Sequence, residues 1–215
     1  GVTGDILSAD SAPRGAPTNR DIVDSFEIRA ASVIVASGGI GGNHDLVRKA
    51  WPVDRLGQPP ARMISGVPAH VDGLMQGVTA KAGGNLINGD RMWHYTEGVR
   101  NWDPIWPSHG IRILPGPSSM WFDARGNRFA PPAMPGFDTL GTLKAIMDTG
   151  FDYSWFITTQ KILKKEFALS GSEQNPDLAS GKWLEVIKQR VLSKGATARV
   201  EAVKSHGADF AVATT

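Results

Sequence analysis

Two stretches of this chain carry residue types at spacings that could do chemistry. The first is Ala36-Ser37-Gly38-Gly39-Ile40-Gly41-Gly42-Asn43, in which four of the five residues from Gly38 to Gly42 are glycine. Ahead of it, Val33-Ile34-Val35 is apolar and β-branched and predicts a short buried strand. Glycines at the end of such a strand let the backbone turn sharply or let a ligand approach closely. Asn43 predicts a helix cap, and a helix starting there aims its free N–H groups at whatever sits above the strand. That is the geometry of a nucleotide crevice in an open α/β sheet. The pattern Gly39-x-Gly41-Gly42 is not G-x-G-x-x-G, and no acidic residue closes a following strand about 20 residues on. On spacing alone, an ordinary strand-to-helix turn is the better reading.

The second stretch is His94-Tyr95-Thr96-Glu97, a polar cluster after an apolar strand. Histidine and tyrosine are proton donors; a satisfied loop histidine beside Trp93 is an equally good reading of His94. Asp72 opens the pattern Leu74, Met75, Val78, Ala82. It can accept from a ligand hydroxyl, cap the helix, or do both. His70-x-Asp72 and His44-Asp45 do not complete a metal ligand set, and there is no His-Glu-x-x-His. No Gly-x-Ser-x-Gly supports a hydrolase.

The elements that must position these groups follow from periodicity and punctuation. Val2 to Leu7 predicts a strand, Ser8 to Thr18 an exposed loop, and Phe26 to Ala30 a half-buried strand, together a small antiparallel excursion feeding the Val33 strand. A short helix runs from Asn43 to Trp51 and stops at Pro52; residues 52–70 predict loop. The helix that follows Asp72 ends at Gly83-Gly84, as at a C′ glycine. Asn85 to Trp121 shows little periodicity. Ser118 to Asp123 predicts a strand, Ala124 to Asn127 a hairpin turn, and Arg128-Phe129 the return. Asp138 or Thr139 caps a helix to Met147. Tyr153 to Thr158 predicts a strand and Gln160 to Leu169 a helix. Trp183, Leu184, Ile187 and Val191 form a helical stripe stopped at Gly195. A last helix near Arg199 to Ser205 leads into a strand from Asp209 to Ala213.

The chain has 215 residues, is 41% hydrophobic and carries a formal net charge of +2, enough for a sizeable core in one or two domains. Its dense basic clusters, Lys161 to Lys165 and Lys188 to Arg190, fall on helix faces and read as solvated, so nucleic acid is not an expected partner. The absence of cysteine excludes disulfides, thiolate metal sites and cysteine nucleophiles, and fits a cytoplasmic location. No apolar run approaches the length of a membrane span, and no signal peptide is visible. A homo-oligomer is compatible with these bounds. Seven tryptophans is a high count, and Trp93, Trp102, Trp106 and Trp121 fall in one central stretch. They suit a flat apolar ligand and a packed core equally.

Ala36-Ser37-Gly38-Gly39 before Gly-Gly-Asn resembles the "ATGG" segment of the flavoproteins related to fumarate reductase and 3-ketosteroid Δ1-dehydrogenase, with Ser37 where threonine is usual. Asp72-Gly73, a helix and Ala82-Gly83 resemble that family's "GDG" helix, whose N-terminus points at the flavin. Asp123-x-x-Gly126-x-Arg128-Phe129 is similar to its hairpin, although Ala130-Pro131-Pro132 replaces the usual Asn-Glu pair. The resemblance implies an α/β fold with an α+β cap. Residues 1–90 would be part of a Rossmann-like FAD-binding domain, and residues 91–215 a substrate-covering cap, incomplete at its end.

It further implies a FAD-dependent dehydrogenase or reductase that moves a hydride between flavin N5 and a carbon next to a carbonyl of an apolar, steroid-like small molecule. Ala36, Ser37, Gly38, Gly39 and Asp72 would contact FAD. His94 or Tyr95 would donate to the substrate carbonyl, and Arg112 would stand for the proton-donating arginine of fumarate reductases, at a longer spacing. Arg128 would brace the cap or stabilise negative charge on a reduced flavin or an enolate. The family's N-terminal G-x-G-x-x-G strand does not precede Gly1, so the expectation is an internal fragment that holds no FAD and is inactive by itself. Two other readings stand beside it: a small non-enzymatic α/β anion-binding domain, and one subunit of a split flavoenzyme.

Overall fold

The computed structural model describes residues 1–13, 16, 18–114, 116–166, 168–170, 179–188 and 209–211. Helices and strands are mixed, and among the described residues the strands form three small sheets. Strand β1 (Val2–Leu7) pairs antiparallel with β2 (Ile22–Ile28), in a register running from Val2 opposite Ile28 to Ile6 opposite Asp24. This is the predicted excursion, but β2 starts earlier than Phe26 and is exposed along its whole length rather than half-buried.

Val33 to Val35 is the main correction. These residues form no strand, and Ile34 is 93% exposed. β-branched residues become a strand only where a neighbour takes up the backbone N–H and C=O groups and covers the side chains. No described strand lies beside this segment.

Past the glycines, local chemistry decides the structure as expected. Helix α1 (His44–Lys49) is capped by Asn43, whose Oδ1 accepts from the Leu46 N–H at 3.1 Å. Replacing Asn43 with alanine removes that acceptor and should cost about 1 kcal/mol, read as a lower urea midpoint at unchanged slope. Pro52 ends the run, and the segment predicted as loop holds a one-turn helix, α2 (Val53–Leu56). Helix α3 (Leu74–Lys81) closes at Gly83, φ 89°, as predicted. Its apolar stripe, however, is not buried: Leu74, Met75 and Val78 are all exposed.

The unperiodic central region contains β3 (Gly98–Arg100) and β4 (Gly110–Leu114), too short to leave a pattern. No strand precedes His94. The hairpin is as expected: β5 (Met120–Asp123), a turn with Gly126 at φ 86°, and a return in which Arg128 bridges Phe122. The Asp123 carboxylate accepts from the backbone N–H groups of Asn127 and Arg125, each at 2.8 Å, and these bonds, Asn127's first, hold its pKa below the usual value. Asp138 caps α4 (Thr139–Asp148), accepting from the Gly141 N–H at 2.9 Å. Strand β6 (Ser154–Ile157) pairs with β5.

The helix predicted to Leu169 stops sooner. Helix α5 (Gln160–Glu166) gives way to β7 (Ala168–Leu169), which joins β4. Leu169 is thereby 2% exposed, and its burial in the sheet outweighs helical continuation. Helix α6 (Trp183–Ile187) begins the predicted stripe. Val191, Gly195 and the predicted helix near Arg199 to Ser205 lie outside the described residues, as does the end of the last predicted strand; Asp209 to Ala211 form none.

Two apolar clusters form the core among the described residues. One joins Ile111 and Ile113 of β4 to Leu169, with Val99, Trp102, Phe156, Leu163 and Phe210 against them. The other joins Val47, Trp51 and Leu56, around α1 and α2, to Leu143 of α4. No helix among the described residues is long and apolar enough to cross a membrane.

Candidate functional site

The two predicted cofactor segments meet. Gly42 donates its N–H to Val71 O at 2.8 Å, and Asn43 Nδ2 reaches Asp72 O at 3.5 Å. The loop before α3 lies so close that a Cβ on Gly42 would stand 2.6 Å from Pro68 O. Packing therefore accounts for Gly42. Gly39 is different: a Cβ there would meet nothing within 4 Å. Gly38 takes φ 86°, which side chains rarely adopt, and sits against Val71. Ala36 to Gly39 are exposed, and no described hydrogen bond engages the backbone N–H groups of Ser37, Gly38 or Gly39. Asp72 Oδ1 accepts from the Leu74 N–H at 2.9 Å, while Gly73 occupies the cap position itself. Open N–H groups, a serine hydroxyl and a second carboxylate oxygen suit the phosphates and hydroxyls of a dinucleotide. They fit as one wall of such a site.

Ser65 ties this wall to the central sheet, and nothing in its sequence context marks it. It is 5% exposed, and its Oγ donates to Gly41 O at 2.9 Å. Its backbone bridges His109, and its carbonyl accepts from Trp106 Nε1 at 3.0 Å. Trp106 stacks on His109 with ring centroids 3.6 Å apart, so this tryptophan is a packing element. Trp93, by contrast, is 81% exposed.

At the same sheet, two of the predicted catalytic residues, Tyr95 and Arg112, come into contact beside Glu97. Pairing of β3 and β4 sets Gly98 opposite Arg112, which carries the Arg112 side chain back over the residues preceding β3. The guanidinium carbon lies 3.9 Å from the centroid of the Tyr95 ring. Arg112 Nε donates to Glu97 Oε1 at 2.6 Å. Glu97 Oε2 accepts from the Thr96 backbone N–H at 3.0 Å, so both carboxylate oxygens are engaged. The Glu97 side chain is wholly buried and that of Arg112 is 27% exposed. A buried carboxylate thus holds one edge of a guanidinium, and no described residue accepts from its terminal nitrogens. Such a group can stabilise developing negative charge. Glu97 was legible only as part of a polar run; its role depends on an arginine 15 residues away.

His94 does not join this group. Its ring packs on Trp51, centroids 4.9 Å apart, and its buried Nε2 has no partner among the described residues. Burial holds the imidazole below its ordinary pKa. A base with a depressed folded pKa binds more protons unfolded. Its contribution to stability is therefore full above about pH 6.5, the ordinary histidine value, and falls as the pH drops below it. The urea midpoint of the chain should fall between pH 7.5 and pH 5.5, and His94→Phe, which keeps a ring on Trp51, should flatten that fall.

Arg128 is also apart. It lies at the rim of a cavity of about 290 Å³, with Ser119, Trp121, Phe129, Pro131, Ala133 and Met134. Among the described residues, no hydrogen bond or ion pair links its side chain to Tyr95 or Arg112.

A family described as FAD binding domain matches residues 1–212. The chain is similar to a KsdD-like steroid dehydrogenase of Mycolicibacterium smegmatis, 58% identical over 214 residues, covering 100% of this chain and 39% of that protein. It is similar to a KsdD-like steroid dehydrogenase of Mycobacterium tuberculosis, 57% identical over 209 residues, covering 97% of this chain and 37% of that protein. The chain thus spans about two fifths of the length of these relatives. No solved structure matches it.

Proposed function

Because the chain belongs to the FAD-binding-domain family, whose cofactor is FAD, we propose that it is part of a FAD-dependent dehydrogenase that acts beside the carbonyl of an apolar, steroid-like substrate, the adjacent carbon exchanging the proton and the next carbon the hydride. Residues 1–90 contribute part of the FAD-binding domain, and residues 91–215 part of a cap over the substrate. Bound FAD would supply the hydride chemistry. Ser37, Gly38 and Gly39 offer backbone donors to its phosphate or adenosine portion, and Asp72 offers a carboxylate oxygen to a hydroxyl.

The observation that carries the reading is the Glu97–Arg112–Tyr95 group. Glu97 fixes the guanidinium from the buried side, and the Arg112 guanidinium carbon lies over the Tyr95 ring. In this reading the Tyr95 hydroxyl donates to the substrate carbonyl, and the terminal nitrogens of Arg112 stabilise the negative charge that develops on its oxygen. Glu97 is a positioning residue. The substrate class draws on the names of the relatives.

The test uses the complete FAD-loaded protein, a 3-ketosteroid and a dye acceptor. Tyr95→Phe should lower kcat by about 10²–10⁴, the usual contribution of a positioned acid or base, with steroid binding retained. Arg112→Lys should lower kcat as well, since an ammonium does not reproduce the planar donor fork. Turnover unchanged in both variants would end this assignment.

A further inference from the structure

From Arg91 to Thr96 the chain runs towards β3 with exposure alternating residue by residue. A two-residue period sends successive side chains to opposite sides. On the inner side Met92 packs on the apolar cluster around α1 and α2, and His94 packs on Trp51 of that cluster. On the outer side stand Trp93 and Tyr95, with ring centroids 6.2 Å apart and 49° between their planes. The inner pair anchors the backbone that carries the outer pair. The other three central tryptophans are used in packing: Trp102 against the Ile111 cluster, Trp106 on His109, and Trp121 on Phe156. Trp93 is 81% exposed. A bare indole on an anchored backbone, beside a group already read as catalytic, is the exposed apolar residue that calls for an occupant. Tryptophan is among the side chains most often used as a binding anchor.

Resting on the reading of Tyr95 and Arg112 given above, we propose that Trp93 is a specificity-determining residue of that site, its indole lying along the ring system of a polycyclic ketone whose carbonyl meets the Tyr95 hydroxyl. The outer face is polar at one end and apolar at the other. The Arg112 guanidinium carbon sits 3.9 Å from the Tyr95 ring centroid, so the donors gather there. Trp93 adds an uncharged aromatic surface next to them. A ligand that matches this gradient carries one acceptor at an end and fused rings extending from it. A single ring would satisfy the donors and leave the indole bare. An aromatic face against flat hydrocarbon contributes a large contact area. The rings beyond the carbonyl do not react, so this contact is the same in the ground state and the transition state. Trp93 therefore acts on substrate binding and selection rather than on the chemical step.

The test is calorimetric titration of the complete FAD-loaded protein with estradiol and with phenol. Estradiol carries its oxygen on an aromatic ring that has no hydride to give, so binding is read without turnover; phenol is that ring alone. Trp93→Ala should weaken estradiol about tenfold or more, as loss of an aromatic anchor does, and phenol by less than about threefold. Trp93→Phe should restore most of the estradiol affinity. With a 3-ketosteroid as substrate, Trp93→Ala should raise KM by a similar factor and change kcat far less. Estradiol and phenol weakened alike, or neither weakened, would overturn the proposal. So would a Trp93→Ala protein that melts lower or loses FAD, because the indole is then covered by another part of the complete protein. The two assignments fail separately: an unchanged rate in Tyr95→Phe removes the proton donor, while estradiol binding still reports on Trp93.

Discussion

Glu97→Ala is expected to destabilise the chain by about 3–5 kcal/mol, the usual cost of breaking a buried ion pair by removing one partner. The Glu97 side chain is fully buried and its Oε1 receives Arg112 Nε at 2.6 Å. Without it, a mostly buried guanidinium keeps its charge and loses its counter-ion, and the Thr96 N–H loses its acceptor. Glu97→Gln keeps the shape and one oxygen acceptor but not the charge, so its loss should be smaller. Urea unfolding measures both, with the midpoint falling at an unchanged slope. Arg112→Ala in the Glu97→Ala background should restore part of the loss, because the stranded charge goes with it. Strictly additive losses in that cycle would show that the pair is not coupled.

Trp51→Ala should cost a similar amount, about 3–5 kcal/mol, as large-to-small core substitutions do. Trp51 is 6% exposed and sits in the cluster that joins Val47 and Leu56 to Leu143. Its Nε1 donates to Gly57 O at 2.9 Å, which fixes the chain leaving α2. Its ring is also the platform for His94. Trp51→Phe keeps most of the apolar contact and loses the donor, so it should cost less, with about 1 kcal/mol from the hydrogen bond. Since His94 loses its cover in Trp51→Ala, the pH dependence predicted for His94 should weaken in the same variant. A full wild-type pH slope in Trp51→Ala would show that other groups set the desolvation of His94.

Several features were readable because their causes lie within a few residues. Asn43 and Asp138 cap helices by reaching N–H groups three residues on. The β5 turn follows from Asp123 and Gly126, and the end of α3 from Gly83. The family, too, was legible in Ala36 to Asn43 and in the Asp123 to Phe129 hairpin, and the match over residues 1–212 bears it out.

What only the tertiary structure decided depends on groups distant in sequence. Val33-Ile34-Val35 has the composition of a buried strand, yet a strand is a property of a pair, and no described neighbour supplies the ladder. Leu169 reads as helix until β4 offers it a buried edge. Ser65 carries no motif, because its weight comes from Gly41, Trp106 and His109, which the chain brings to it from both sides. His94 and Tyr95 are adjacent and chemically alike as proton donors, but packing sends one ring onto Trp51 and leaves the other under Arg112. Residue types determine which chemistry is available; the sheet pairing that sets Gly98 opposite Arg112 determines which of those groups can act together, because a hydrogen bond reaches only about 3 Å.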